Sequence, residues 1–259
     1  MMKYKIKTGL CFLFLFRALF LLAQEEPVAQ PDSVVNSESS LQKTGKIAGV
    51  AIPSLMVTYG VLSFESKALK DFDNDVRTGL NDKLNLKHID DFAWFTPAAL
   101  AFGLNLSGNK GKHEFWDMAA LYTLSNVVNV GIVYGLKTGT SRERPDASDR
   151  KSFPSMHTST AFVAAEFLRM EYGDKSVWYG VGGYTIATMT GVARIVNNKH
   201  WFSDVIAGAG VGVLSAKFAY YVYPYLKTAF IKKESQKQQA VIFPGYTDGS
   251  VSLNVFWTF

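Results

Sequence analysis

Five apolar stretches of helical length, at about 47–64, 92–109, 118–136, 177–193 and 204–223, bound what this chain can fold into, because each must be covered by protein or by lipid. Several run for about 18 residues without a charge, the length at which a helix begins to span a bilayer. They are diluted by Ser, Thr, Asn and Gly, and a mean hydropathy of +0.05 is low for a chain made mainly of spans. The stretch after His157, "TSTAFVAAEFLRMEYGD", reads differently: Glu166 and Arg169 divide an apolar face in the manner of an amphipathic helix. Residues 65–91 are polar with Leu and Val at helical spacing, which predicts surface helices and turns. With 48% apolar residues in 259, a sizeable core is within reach, and the expected class is all-α, a helical bundle.

The two ends read differently. Lys3, Lys5 and Lys7 precede an apolar run that closes in small and acidic residues, the layout of an export signal over 1–23, cleaved near Ala23 or kept as an anchor. Arg17 interrupts that run. The lone cysteine, Cys11, lies inside it, so an exported product carries no disulfide and no cysteine-bound metal. Residues 24–44 are polar and Ser-rich, a flexible lead-in to a helical domain over 45–233. In the tail, 234–259, the period changes: Val251, Leu253, Val255, Trp257 and Phe259 alternate after a turn at Asp248-Gly249, which predicts a C-terminal β-hairpin, far short of the strands a barrel needs.

The formal charge of +5 is modest, and neither an aromatic-interleaved basic stripe nor zinc-finger spacing points to nucleic acid. Acidic headgroups or phosphorylated substrates account better for the excess of cations. Three stretches carry it at the ends of apolar helices: "KTGTSRERP", with Lys137 and Arg144 before Pro145; "PSMH", ending in His157; and "ARIVNNKHWFSD", punctuated by Arg194, His200 and Asp204. Each has a structural explanation alone, since cations suit helix C-termini, Ser155 caps the helix that follows, and Ser203-Asp204 caps the next. Three cations, two histidines and a carboxylate at helix ends that a bundle brings together point to chemistry.

In order and internal spacing these stretches resemble the three-part signature of the type 2 phosphatidic acid phosphatase (PAP2) superfamily, which includes class A acid phosphatases and vanadium haloperoxidases. The signature is Lys-x6-Arg-Pro, Pro-Ser-Gly-His and Ser-Arg-x5-His-x3-Asp; the resemblance covers roughly 92–223. It implies the PAP2/haloperoxidase helical bundle and a phosphatase that uses no cofactor and no metal. By it, Lys137, Arg144 and Arg194 bind the phosphate oxygens, together with backbone N–H groups around Ser155 and Met156. His200 attacks phosphorus to form a phosphohistidine, Asp204 orients its imidazole, and His157 protonates the leaving oxygen and later activates water.

Two positions depart from the pattern. Met156 stands where the family usually has Gly, and Ala193 where it usually has Ser. The surroundings, with "YYVYPYL" and the export signal, favour a phosphorylated envelope lipid as substrate, lipid A being the leading choice beside polyprenyl pyrophosphates and phosphatidate-type lipids. The implied partners are that lipid and a membrane. A soluble periplasmic acid phosphatase, a noncatalytic protein on the same scaffold and, least favoured, a vanadium haloperoxidase remain alternatives. With a cleaved signal, three crossings before Lys137 would turn the site toward the cytoplasm, whereas the family works on the outer face. The low hydropathy resolves this in favour of a membrane-associated envelope protein whose site faces the periplasm, with at least one apolar segment not crossing.

Overall fold

The computed structural model describes residues 40–81, 93–235, 240–247 and 250–257. The export signal, most of the lead-in and the turn at Asp248-Gly249 lie outside the described residues. The body is helical: α1 (Ser40–Leu62), α2 (Lys67–Asn81), a 3-10 turn (Ala93–Phe95) running into α3 (Thr96–Leu106), α4 (Phe115–Thr140), α5 (Met156–Tyr172), α6 (Val177–Val196) and α7 (Phe202–Ser235). Helix α1 begins at Ser40, inside the stretch read as a flexible lead-in, since Leu41, Gln42 and Lys43 are good helix formers. Beyond α7 the backbone of β1 (Ala240–Thr247) pairs antiparallel with β2 (Ser250–Trp257), Ala240 opposite Trp257. The fold class rests on the helices alone.

Helix α5 is the centre. It packs against α3, α4, α6 and α7, while α7 also packs against α1 and α4. The main core joins Ala164, Phe167, Leu168 and Tyr172 of α5 to Ala98 and Ala101 of α3 and to Met118 and Leu121 of α4. The expectation of an amphipathic α5 is corrected here. Glu166 is fully buried and paired with Arg169 Nη2 of its own helix at 2.6 Å and, from neighbouring helices, with Lys217 Nζ at 3.0 Å and the Tyr184 hydroxyl. A buried carboxylate so paired escapes the cost of an isolated one, and its pKa is held below the ordinary carboxylate value by those partners despite the burial that opposes them.

The α5–α7 seam is close enough to require glycine at two positions. A Cβ on Gly208 would lie 2.7 Å from the carbonyl oxygen of Ser155, and one on Gly212 would lie 2.2 Å from that of Ser159. Neither oxygen can yield, being part of the helix backbone, so these glycines let the start of α7 lie against the start of α5. This is what sets the two helix N-termini side by side.

Of the five apolar stretches, two lie in helices long and apolar enough to cross a membrane, Phe115–Thr140 and Phe202–Ala229. Ile47–Leu62 and Lys67–Leu80 pass only if taken together, and they are bent by 99°. Helix α6 does not qualify among the described residues. On the outward faces Ile52, Leu55, Val127, Val130, Tyr134, Val181 and Met189 are exposed.

Candidate active site

Lys137 sits in the last turn of α4, which ends where Ser141 turns left-handed at φ 47° and donates its N–H to the Lys137 carbonyl. Pro145 blocks any continuation, and the chain folds into a loop held by its own backbone: Arg144 N–H to Asp149 O, and Ser152 N–H to Arg142 O. The Lys137 ammonium rests on loop carbonyls, 2.5 Å from Lys151 O and 3.5 Å from Ser152 O. The Arg144 guanidinium donates to Asp149 Oδ1 at 2.7 Å and to Lys199 O at 3.4 Å.

Ser155 caps α5, its hydroxyl accepting from Thr158 N–H at 3.5 Å and Thr158 Oγ1 at 2.9 Å, while its own N–H donates to the Asp204 carbonyl at 3.1 Å. That last bond ties the α5 start to the α7 start. Met156 and His157 open α5, both half-buried. Met156 has helical angles and is not among the residues with positive φ, so its backbone does not call for glycine. What a glycine would change there is the space its side chain takes. Ala193 is buried in α6.

Arg194 ends α6, and its carbonyl accepts both Lys199 N–H at 3.0 Å and His200 N–H at 3.3 Å, which curls the chain so that His200 follows closely. His200 is 2% exposed, with Nδ1 3.7 Å from Asp204 Oδ2, outside hydrogen-bond range, and no hydrogen-bond partner on Nδ1 among the described residues. Asp204 caps its own helix. Trp201 is the capping residue, and the carboxylate three positions on reaches back to accept Trp201 N–H at 2.9 Å, where the sequence suggested Ser203 and Asp204 together. Ser203 instead donates its hydroxyl to Asp73 at 2.5 Å.

The fold thus brings together the cations and the histidine–aspartate pair. Arg144, Arg194, Asp204 and Asp149 lie near enough to Lys137 to act on its charge. Burial pushes the His200 imidazole down from its ordinary 6.5 to about 4; Lys137 and Arg144 add to that, and Asp204 opposes it. That shift keeps His200 in its neutral form at pH 7.

A linkage follows from that shift. The folded state excludes a proton that the unfolded histidine binds, so this stability is present above pH 6.5 and is lost as pH falls from 6.5 toward 4. Its full size is on the order of 3 kcal/mol. Thermal unfolding in detergent across that window is expected to fall more steeply for wild type than for His200→Ala, and parallel curves would mean that the histidine is not held neutral by burial.

Three residues of the site escaped the sequence reading. Arg142 lies within the six residues between Lys137 and Arg144, and the alternation "RER" is the only trace of it. Its Nη1 donates to Asp204 Oδ1 at 2.7 Å. Ser152 donates to Asp204 Oδ2 at 2.5 Å. Asp73, on α2, accepts Ser203 N–H at 2.8 Å and Arg142 Nη2 at 2.8 Å, and nothing in the polar stretch around it marks it out. Among the described residues no group of three His, Cys, Asp or Glu side chains is gathered as a metal would need.

The family model described as the PAP2 superfamily matches residues 115–228. A lipid A 1-phosphatase of Porphyromonas gingivalis is 36% identical over 163 residues, 60% of this chain and 36% of that protein. A probable lipid phosphate phosphatase of Arabidopsis thaliana is 33% identical over 89 residues, 29% of each. The chain spans about a third of the length of the curated relatives it matches. Among solved structures, the transmembrane PAP2-type phosphatidylglycerolphosphate phosphatase of Bacillus subtilis superposes with a TM-score of 0.49 at 18% identity, over 74% of this chain and 99% of that one.

Proposed function

We propose, from the match of residues 115–228 to the PAP2 superfamily, that this chain is a membrane-associated phosphatase that hydrolyses a phosphate monoester of an envelope lipid. The observation that carries the reading is the meeting of four helix ends. The α4 and α6 C-termini supply Lys137 and Arg194, the α5 N-terminus supplies backbone N–H groups, and the α7 N-terminus the His200–Asp204 pair. A phosphate monoester repels nucleophiles because its oxygens are negative, so the site must first collect positive charge around them. Lys137, Arg144 and Arg194 do this, with the Met156 N–H at the α5 start adding a dipole of the right sign; the Ser155 N–H, expected from the sequence to share that role, is instead taken by the Asp204 carbonyl. Asp149 holds Arg144 in the position that a phosphate oxygen takes, being half-exposed and exchangeable.

In the proposed reaction Nε2 of neutral His200 attacks phosphorus in line. The P–O bond to the lipid breaks and His157 gives its proton to the departing oxygen. Water, deprotonated by His157, then attacks the phosphohistidine; the P–N bond breaks and inorganic phosphate leaves. Asp204 stabilises the charge that His200 acquires. Their 3.7 Å separation is of the kind that shortens when substrate binds.

A lipid substrate is supported by where the site sits along the helices. On α4 and on α7, Lys137 is 21 residues from exposed Trp116 and Asp204 is 21 residues from exposed Tyr225, about 30 Å at 1.5 Å per residue, the thickness of a hydrocarbon core. Exposed Trp178 opens α6 at the same end. Aromatic residues favour a membrane interface, so one boundary lies at this belt and the other at the site. The outer, periplasmic face is the orientation proposed for the site. The narrower substrate, lipid A, is carried from the Porphyromonas relative's name. The export signal over 1–23, the domain over 45–233 and a tail hairpin outside the catalytic body complete the proposal.

Phosphate release from a panel of envelope lipids and one soluble ester, all in mixed micelles, tests this. A bisphosphorylated lipid A, a polyprenyl pyrophosphate and a phosphatidate are expected to be cleaved faster than the soluble ester, lipid A fastest. Faster cleavage of the soluble ester than of every lipid would favour the soluble acid phosphatase instead.

A further inference from the structure

Arg142 draws its partners from separate parts of the chain. Nη2 donates to Asp73 Oδ2 of α2 at 2.8 Å, and Nη1 donates to Asp204 Oδ1 at 2.7 Å, to Ser203 Oγ at 2.8 Å and to Ser63 Oγ at 3.3 Å. The side chain is 12% exposed, its guanidinium 5.1 Å from the Phe64 ring and 5.8 Å from the Trp201 ring. Asp73 is itself fixed, accepting the N–H and the hydroxyl of Ser203. The two oxygens of Asp204 therefore have different surroundings. Oδ1 is anchored by Arg142, while Oδ2 takes Ser152 and Trp201 N–H and lies toward His200 Nδ1.

We infer that Arg142, aimed by Asp73, is the positioning residue that fixes the Asp204 carboxylate behind His200; this rests on the proposed nucleophilic role of His200. A planar fork can bridge two carboxylates at once in fixed geometry, which a single ammonium cannot. Buried charge needs a partner, and Arg142 is sandwiched between Asp73 and Asp204 so that neither acid is left alone. Arg144, in contrast, is spent on exposed Asp149 and the loop, which leaves it exchangeable for substrate. The two arginines of "RER" thus divide the work: Arg144 faces the phosphate and Arg142 holds the base behind it.

The inference has a pH signature. The attacking form needs Asp204 ionised and His200 neutral, so the pair must carry no proton. Removing the Arg142 cation makes a proton on either member easier to hold, which moves the acid limb of kcat/KM to higher pH. The other groups around the pair stay in place: Lys137 from α4, Arg144 and Asp149 from the loop, Arg194 from α6, Arg77 and Asp73 from α2, and Tyr59 from α1.

The test is steady-state phosphate release by the full chain in detergent, as a function of pH, for Arg142→Met, Arg142→Lys, Asp73→Asn and His200→Ala. Arg142→Met is expected to lose about 100-fold in kcat/KM, chiefly in kcat, with the acid limb about one unit higher. Arg142→Lys keeps the charge and is expected to return the acid limb to the wild-type pH while staying about 10-fold slow, because position is not restored. Asp73→Asn frees the guanidinium without discharging it, so kcat falls with no upward shift of the limb. A folded Arg142→Met with wild-type kcat/KM and an unmoved limb overturns the inference. Should that variant not fold, wild-type kcat in both Arg142→Lys and Asp73→Asn overturns it. Retained activity in His200→Ala instead overturns the reading on which the inference rests, and the two failures are thereby told apart.

Discussion

Replacing His200 by alanine is expected to lower kcat on every phosphate ester by at least about 1,000-fold while leaving the protein folded. The imidazole is 2% exposed and pushed down to about 4 by burial, so it is present as the neutral base at pH 7. The α6–α7 turn fixes its backbone through the Lys199 and His200 N–H bonds to the Arg194 carbonyl. Deleting it also removes the proposed phosphohistidine, so enzyme quenched in alkaline detergent, where a P–N bond survives, should carry labelled phosphate in wild type and none in the variant. A variant that turns over at the wild-type rate would dismiss His200 as nucleophile. The scaffold-only alternative would be favoured if wild type itself released no phosphate from any lipid of the panel.

The second large effect belongs to His157→Gln, and its size should depend on the leaving group. Proton donation to the departing oxygen is worth about 100- to 10,000-fold when the leaving group is a sugar or glycerol alkoxide, a poor one unless protonated. A nitrophenolate leaves without help. The variant is therefore expected to lose most of its activity on a lipid phosphate and little on p-nitrophenyl phosphate in the first, phosphorylating step. An equal loss on both esters would mean that His157 serves the site by some means other than acid catalysis, such as binding a phosphate oxygen.

Much of the helical architecture was legible because its causes are local. The apolar runs at about 118–136 and 204–223 fall within α4 and α7, and both helices are long and apolar enough to cross a membrane. Ser155 as a cap follows from the backbone chemistry of that residue, whereas α4 ends at a left-handed Ser141, four residues before the Pro145 expected to stop it. Glu166 shows where such reading ends. On its own helix it looked like the polar side of an amphipathic face, but Lys217 and Tyr184 come from elsewhere in the chain and turn it into a buried, paired carboxylate. Periodicity describes one helix against an average surrounding, and the surrounding here is other helices.

By itself, then, the sequence determined the helices, the polar punctuation at their ends and the order of Lys137, Arg144, His157, Arg194, His200 and Asp204, all of which depend on neighbours a few residues apart. Only the tertiary structure decided which arginine of "RER" is buried against Asp204 and which is left for exchange, since that choice is made by Asp73, 130 residues before the Ser203 that it also holds. The physical reason is that a charge can be buried only where partners from several elements meet it, and such a meeting depends on helix packing, which glycines such as Gly208 permit at the α5–α7 seam.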